Sequence, residues 1–302
     1  MKKIIVSFVS FWVMVQAANA QLPVSSGKLE RFENFSYPGI SPRTVDVYLP
    51  EGYSTGKKNA VIYMHDGQML FDSTKTWNRQ EWGVDETIGN LLKEGKIRDC
   101  IVVAIWNSGQ ERFTDYFPQK PLEALPSRFR DSLLHTALFP VPPRADAYLR
   151  FLVQRLKPFI DSAYSTRPDR ENTFIAGSSM GGLISMYAIC EYPNIFGGAA
   201  CLSTHWPGVF DTINNPIPDA FLDYLKKTIP DPKTHRFYFD HGTATLDALY
   251  GSSQSRVDKV FLSKGYNAGN FLSRSFPGDD HSESAWRKRL FIPIEFLLRK
   301  GD

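Results

Sequence analysis

The sequence has few cysteines, little net charge and a single long apolar run, and each shortage excludes a class of protein. Only three of its 302 residues are cysteines, Cys100, Cys190 and Cys201. Their spacing does not match that of a metal site, so we expect no metal or other cofactor. We expect buried free thiols, and a bridge between Cys190 and Cys201 stays open because the segments that carry them should pack together.

The charge balance argues against a nucleic-acid partner. The chain has 35 Lys and Arg against 32 Asp and Glu, and two of the lysines lie at the extreme N-terminus, in a segment that we expect to be removed. The remaining chain is therefore almost neutral, and no basic stripe suggests a phosphate-binding surface. Aromatic residues are plentiful and no segment is of low complexity, so we expect a well-filled core.

The one long apolar run predicts a signal peptide over residues 1–20. Two lysines precede the almost wholly apolar segment 4–15, and the small-x-small motif Ala18-Asn19-Ala20 follows it. The run is too short to span a bilayer stably. We therefore expect a secreted or periplasmic protein that begins near Gln21 and has no membrane contact after cleavage.

Apolar segments typical of strands alternate with segments of helical periodicity from about residue 60 onward. Segments 29–37 and 44–49 predict an antiparallel pair at one edge, and the second alternates as a half-solvated strand should. Other predicted strands are 60–64, 100–106, 197–202, 235–239, 270–276 and one beginning at Thr173; predicted helices are 84–93, 146–164, 183–192 and 284–298. This order predicts an α/β fold, with a mostly parallel twisted sheet, helices on both faces and an antiparallel N-terminal edge.

Two long segments interrupt this alternation. Residues 107–145 are rich in proline, arginine and aromatics with little periodicity, and residues 206–234 contain one short helical stretch. Both follow the C-terminal ends of predicted strands, where ligands bind in open α/β sheets, and long loops there commonly form lids. Because no linker is evident, we expect residues 21–302 to form one domain with these loops over its active-site face.

The most informative motif is the Gly-x-Ser-x-Gly box of residues 177–181, which lies between an apolar strand and a helical segment. This order builds a sharp turn that exposes a strained serine above the sheet, and glycine is needed where the backbones approach closely. The motif predicts Ser179 as a catalytic nucleophile. A glycine-rich helix N-terminus without chemistry is the alternative interpretation.

A serine nucleophile needs a histidine base, which in this architecture follows the acid along the chain. The histidines after the serine are His205, His235, His241 and His281. We expect His281 to be the base, because it follows the last predicted strand in a polar loop that can reach Ser179. We expect Asp247, which lies in the loop beyond the strand, to be the acid. Asp240 at the strand end stays open as the alternative, because it is equally suited to a structural role.

Backbone amides are expected to form the oxyanion hole. One is the N–H of Met180, at the start of the helix that follows the sharp turn at Ser179 (the nucleophile elbow). The dipole of that helix favours negative charge there. The other is the N–H of Gln68, which Gly67 allows to turn toward the reacting carbonyl. We expect His65 and Asp66, which precede that glycine, to have structural roles.

With these segments in place, the chain resembles the putative-esterase branch of the α/β-hydrolase superfamily. That branch includes feruloyl and acetyl-xylan esterases, siderophore trilactone esterases, S-formylglutathione hydrolases and mycolyltransferases. The matching segments are 43–50, 63–68, 104–109, 156–161 and 176–182, with Glu191-Tyr192-Pro193 after the last. The resemblance implies an α/β-hydrolase fold and a serine esterase with Ser179 as nucleophile, His281 as base, and the amides of Gln68 and Met180 as oxyanion donors.

The substrate is less constrained than the reaction. Tyr116 and Trp206 in the two long segments suit a pocket wall for an aromatic or sugar group, and a secreted esterase suits feruloyl or acetyl esters of carbohydrate. A siderophore trilactone is the alternative substrate, with slight support from Arg128, Arg130 and Arg144. A carbohydrate-binding relative without turnover, and acyl transfer to a sugar instead of water, also stay open.

Overall fold

A nine-stranded sheet forms the centre of the computed structural model, which describes residues 17–18 and 24–300. Its strands are β1 (Ala17–Ala18), β2 (Lys28–Phe35), β3 (Arg43–Leu49), β4 (Ala60–His65), β5 (Cys100–Ile105), β6 (Thr173–Ser178), β7 (Gly198–Leu202), β8 (Arg236–Gly242) and β9 (Phe271–Phe276). The spatial order is β1-β2-β3-β5-β4-β6-β7-β8-β9. Apart from Ala17 and Ala18, the predicted signal peptide lies outside the described residues.

The strand directions confirm the predicted sheet. The pairs β1–β2, β2–β3 and β3–β5 are antiparallel, while β5, β4, β6, β7, β8 and β9 are mutually parallel. The carboxyl ends of the six parallel strands therefore meet at one edge, which is where an open α/β sheet binds ligands.

Helices cover both faces of the sheet, so the central strands are apolar on both sides. The helices are α1 (Val84–Lys93), α2 (Arg112–Tyr116), α3 (Gln119–Glu123), α4 (Ser127–Leu134), α5 (Ala145–Phe151), α6 (Lys157–Ala163), α7 (Met180–Glu191), α8 (Ile217–Thr228), α9 (Gly251–Ser263), α10 (Glu283–Arg289) and α11 (Phe291–Leu298). Neighbouring residues of β4 enter different cores: Val61 packs in the core with α5 and α7, and Ile62 packs in the core with α1 and α11. Within the described ranges, no helix is long and apolar enough to cross a membrane.

Three sequence expectations differ from the structure. Strand β3 is almost wholly buried, not half-solvated, because its side chains enter both cores of the sheet, Val45 and Val47 on one face and Tyr48 on the other. Its one acid, Asp46, is held by Arg31 and the Trp106 indole. Segment 107–145 contains the short helices α2 to α4. The predicted helix 284–298 divides at Leu290, because Pro293 has no N–H to continue the ladder.

Two other expectations are confirmed. A π-helical turn, Leu152–Leu156, joins α5 to α6, so the predicted helix 146–164 is continuous. The three cysteines are buried and unpaired, which leaves no bridge between Cys190 and Cys201.

Candidate active site

Ser179 lies in the turn between β6 and α7 with φ 57° and ψ −120°. A non-glycine residue in this region of φ/ψ space is strained and persists only where the surroundings hold it. Two hydrogen bonds to the segment at the end of β7 hold the Ser179 backbone in this conformation. The Ser179 amide donates to the Leu202 carbonyl at 2.9 Å, and the His205 amide donates to the Ser179 carbonyl at 3.2 Å. The predicted strand–turn–helix elbow is therefore present.

The two glycines of the box lie where neighbouring atoms approach the backbone closely. A Cβ on Gly177 would lie 2.8 Å from the carbonyl carbon of Gly181, which is far inside the normal contact distance. A Cβ on Gly181 would lie 3.2 Å from Oδ2 of Asp66. The elbow thus packs against both its own helix and the loop after β4. A side chain at 177 would collide with backbone, whereas one at 181 would require the Asp66 side chain to shift.

His281 lies in the loop between β9 and α10 and is held on several sides. Its Nδ1 lies 2.5 Å from Oδ1 of Asp247, and its backbone amide donates to Thr245 Oγ1 at 2.9 Å. The ring packs edge-on against Trp286, with centroids 5.0 Å apart, and against Tyr250 at 5.8 Å. His281 and Ser179 line the same cleft.

Asp247 is fully buried and accepts hydrogen bonds on both carboxylate oxygens. Oδ2 accepts from the Ser203 hydroxyl and from the Gly242 amide, each at 2.6 Å. Burial by itself opposes ionisation, but the hydrogen bonds from His281, Ser203 and Gly242 lower the pKa of Asp247 overall. An ionised Asp247 requires the proton of a neutral imidazole to stay on Nδ1, which leaves Nε2 as a proton acceptor.

Ser203 has an oriented hydroxyl that sequence reasoning missed. Its Oγ accepts from the Trp286 indole at 2.9 Å and from Arg289 Nη2 at 3.0 Å. With both lone pairs occupied, its only proton points to Asp247. Trp286 and Arg289 belong to α10 and Asp247 lies after β8, so no local pattern in the sequence marks these partners.

Asp240, the other carboxylate left open by the sequence, is not in contact with the imidazole. It is fully buried and is bound by Arg289 through Nε at 3.1 Å and Nη2 at 3.0 Å. The Tyr238 hydroxyl donates to the same carboxylate at 2.8 Å. Asp240 therefore compensates a buried guanidinium, and Asp247 is the carboxylate that the structure brings to His281.

The loop after β4 forms one end of the site. Asp66 is in the left-handed region at φ 57°, and Gly67–Met69 form a single 3₁₀ turn after it. A Cβ on Gly67 would lie 2.7 Å from the carbonyl carbon of Ala104, so the turn passes tightly against β5. Gln68 lines the cleft beside Ser179, and Met180 begins the 12-residue helix α7.

The carboxylate of Asp66 braces this loop, as the sequence indicated. Arg112 donates to it through Nε and Nη2, each at 2.7 Å, and the Asn107 amide donates at 2.7 Å. Burial opposes ionisation, but the charge and hydrogen bonds of Arg112 lower the pKa of Asp66 overall. His65 is a core residue whose Nδ1 lies 2.8 Å from the Tyr148 hydroxyl; its Nε2 has no partner among the described residues.

The cleft has a volume of about 710 Å³ and a mixed lining. Its lining residues are Asp66, Gln68, Met69, Trp77, Asn78, Gln80, Trp82, Asn107, Gly109, Arg112, Ser178, Ser179, His281, Ser282, Glu283 and Trp286. Most of the polar members are amides and hydroxyls, and the single guanidinium is already bound to Asp66. Such a lining suits a neutral ligand with hydroxyl groups better than an anion.

Tyr116 and Trp206, expected from the sequence to contact substrate, are both core residues. Tyr116 is completely buried and packs against His65, with ring centroids 5.1 Å apart. Trp206 is 1% exposed and donates its indole N–H to Gln254 at 2.9 Å. Neither lines the cleft: Tyr116 points inward from α2 and also packs against Tyr148 of α5, and Trp206 packs against Phe221 of α8.

Two buried histidines near the site predict a steep loss of stability in acid. Burial lowers the pKa of both His65 and His205 to about 3, whereas unfolded histidine titrates near 6.5. Between these two pKa values only the unfolded chain takes up protons on these histidines. The unfolding free energy is therefore not reduced by them above about pH 6.5. Below that pH, each of the two histidines lowers the unfolding free energy by up to about 1.4 kcal/mol per pH unit.

Urea unfolding at several pH values between about 7 and 4 measures this effect. We expect His65→Gln and His205→Gln each to flatten the decline of the unfolding free energy with acidity. His135→Gln is the matched control, because that ring is exposed at the end of α4. A decline of equal slope in all four proteins would contradict the assignment.

Known proteins with similar sequences place this chain in a family. The model of the family described as "Putative esterase" matches residues 40–292. The uncharacterized protein YbbA of Bacillus subtilis (strain 168) is 25% identical over 267 residues, 86% of this chain and 94% of YbbA. An endo-1,4-beta-xylanase/feruloyl esterase of Xylanibacter ruminicola is 24% identical over 287 residues, 91% of this chain and 32% of that enzyme.

Solved structures with the same fold include two kinds of esterase. A ferulic acid esterase superposes with a TM-score of 0.65 at 18% identity, covering 90% of this chain and 98% of that one. An enterochelin esterase from Shigella flexneri superposes with a TM-score of 0.64 at 14% identity, covering 92% of this chain and 60% of that one. These similarities confirm the predicted α/β-hydrolase fold.

Proposed function

This chain belongs to the Putative esterase family and is a carboxylic ester hydrolase, and on this basis we propose that it is a secreted or periplasmic serine esterase that acts on acylated carbohydrate. We assign Ser179 as nucleophile, His281 as general base and Asp247 as the residue that orients the base. The observation that carries the proposal is the shared cleft of Ser179 and His281, with a buried carboxylate bound to the far nitrogen of the imidazole.

Acylation would begin with transfer of the Ser179 proton to Nε2 of His281 as Oγ attacks the ester carbonyl. The tetrahedral intermediate carries its negative charge on the former carbonyl oxygen, where we assign the backbone amides of Gln68 and Met180 as donors. Each such donor typically contributes about 3–4 kcal/mol to catalysis. The imidazolium then protonates the leaving alcohol, and the acyl group remains on Ser179.

Deacylation follows the same steps, with water as the nucleophile that attacks the acyl carbonyl. His281 takes a proton from water, the acid is released, and Ser179 regains its hydroxyl proton. The buried, ionised Asp247 stabilises the imidazolium in both half-reactions and keeps Nδ1 as the donor.

Acylated carbohydrate, with feruloyl or acetyl groups, is the proposed substrate. Similarity to an endo-1,4-beta-xylanase/feruloyl esterase supports it, as does the mainly uncharged polar lining of the cleft. The arginines that favoured an anionic siderophore do not line the cleft. Arg144, for example, is bound to Asp115 and Glu111.

Mass spectrometry of the acyl-enzyme tests the proposal directly. The protein is mixed with feruloyl, acetyl, trilactone and thioester substrates, quenched in acid within milliseconds, and digested. We expect the mass of the transferred acyl group on the peptide that contains Ser179, and the highest kcat/KM on a carbohydrate ester. An acyl group on another residue, or turnover with no acylated peptide and no burst phase, would refute the mechanism.

A further inference from the structure

We propose that Trp77 is a stacking platform for a sugar ring of the leaving alcohol, a specificity element that rests on the function proposed above. Trp77 is 85% exposed, yet it lines the same cleft as Ser179 and His281. The other tryptophans with described side chains, Trp82, Trp106, Trp206 and Trp286, are buried or half-buried. The exposed face of this ring is therefore open to a ligand that occupies the cleft.

Internal hydrogen bonds hold the backbone of the loop that carries Trp77. In this loop, residues 72–82, the Asp72 carboxylate accepts from the amide and hydroxyl of Thr74 at 2.9 and 2.6 Å. Glu81 accepts from the Ser73 amide at 2.8 Å, which ties the two ends together. Such a preorganised platform loses little conformational entropy when a ligand binds.

The 72–82 loop is also joined to the segment that carries the base. Asn78 donates to Glu283 at 2.7 Å, two residues after His281. At the end of the loop, Trp82 packs on Trp286 with centroids 5.4 Å apart, and Trp286 packs on the imidazole itself. The loop of Trp77 is therefore joined to the segment whose histidine protonates the leaving alcohol, and this is why we assign the platform to the alcohol and not to the acyl group.

The chemistry of this rim fits a sugar better than an aromatic acyl group. A pyranose has an apolar C–H face that stacks on an indole and hydroxyl edges that bond to polar side chains. Trp77 is accompanied in the cleft by amide side chains, those of Asn78, Gln80 and Asn107. An aromatic acyl group would gain more from an enclosed apolar pocket than from an open face of this kind.

Two esters with the same acyl group and different alcohols test the platform. We compare methyl ferulate with a feruloylated xylo-oligosaccharide, or the corresponding acetyl pair if acetyl is the preferred acyl group. Trp77→Ala should raise KM for the oligosaccharide ester about tenfold, and the oligosaccharide-to-methyl ratio of kcat/KM should fall about tenfold. Trp77→Tyr should restore most of that ratio, because a smaller aromatic face remains.

Phe291→Ala is the matched control, since Phe291 is a 48% exposed aromatic residue that does not line this cleft; its ratio should equal that of the wild type. An equal loss on both esters, or no change in the ratio, would overturn the platform. If no ester is hydrolysed, the proposed function fails and the platform is tested separately. Unesterified xylo-oligosaccharide should then quench the tryptophan fluorescence of the wild type but not of Trp77→Ala, and equal quenching would overturn the platform.

Discussion

Replacing Ser179 by alanine should lower kcat for ester hydrolysis about a million-fold, which is the usual loss when a serine nucleophile is removed. The variant retains the oxyanion amides and the cleft, so we expect a small residual rate above that in water. Labelling by a fluorophosphonate probe should disappear completely, because the probe needs an activated hydroxyl. Steady-state kinetics and gel fluorescence measure the two effects.

Ser185→Ala is the matched control for the folding of the elbow helix. Ser185 lies on the same helix, and its hydroxyl donates to the Gly181 carbonyl at 2.7 Å. That bond contributes about 1 kcal/mol to stability and nothing to the reaction, so labelling and turnover should stay close to wild type. Undiminished labelling of a folded Ser179→Ala protein would refute the nucleophile.

Asp247→Asn should lower kcat about ten thousand-fold, the loss that follows when a triad imidazole is held in the wrong tautomer. The structure gives the reason. The Ser203 hydroxyl and the Gly242 amide both donate to Oδ2, so the asparagine carbonyl oxygen would occupy that position. Its NH₂ group would then donate to Nδ1 of His281, and the imidazole proton would move to Nε2, where it blocks attack on the ester.

Asp280→Asn is the control for this substitution. Asp280 is adjacent to His281 in sequence, but its carboxylate accepts only from the Ser282 hydroxyl at 2.5 Å. We expect activity within about threefold of wild type, since surface changes of this kind have small effects. Near-normal kcat in Asp247→Asn, with unfolding by urea unchanged, would exclude Asp247 from the catalytic group.

Much of the fold was predictable because its causes are local. The sharp turn at Ser179 requires glycine at 177, because a Cβ there would collide with the backbone of Gly181, four residues further along the chain. The continuous apolar run of β5 follows from burial on both faces of the sheet. Patterns of this kind extend over a few residues and can therefore be recognised in the amino-acid sequence.

The errors have equally physical causes. Segment 107–145 lacks clear periodicity, and its helices are only five to eight residues long, too short to be stable or recognisable without tertiary packing. The alternation of β3 indicated a solvated face, but Arg31 and Trp106 satisfy the polar residue Asp46 inside the protein. Burial of a polar group depends on partners that come from elsewhere in the chain.

The sequence by itself determined the fold class, the elbow and the identity of the candidate nucleophile, because each depends on sterics and periodicity within one or two elements. Only the tertiary structure decided between the two carboxylates: Ser203 lies 44 residues from Asp247, and Arg289 lies 49 residues from Asp240. It also decided that Tyr116 and Trp206 are core residues while Trp77 is exposed at the cleft. These outcomes depend on which distant side chains share a buried space, and no pattern along the chain encodes that directly.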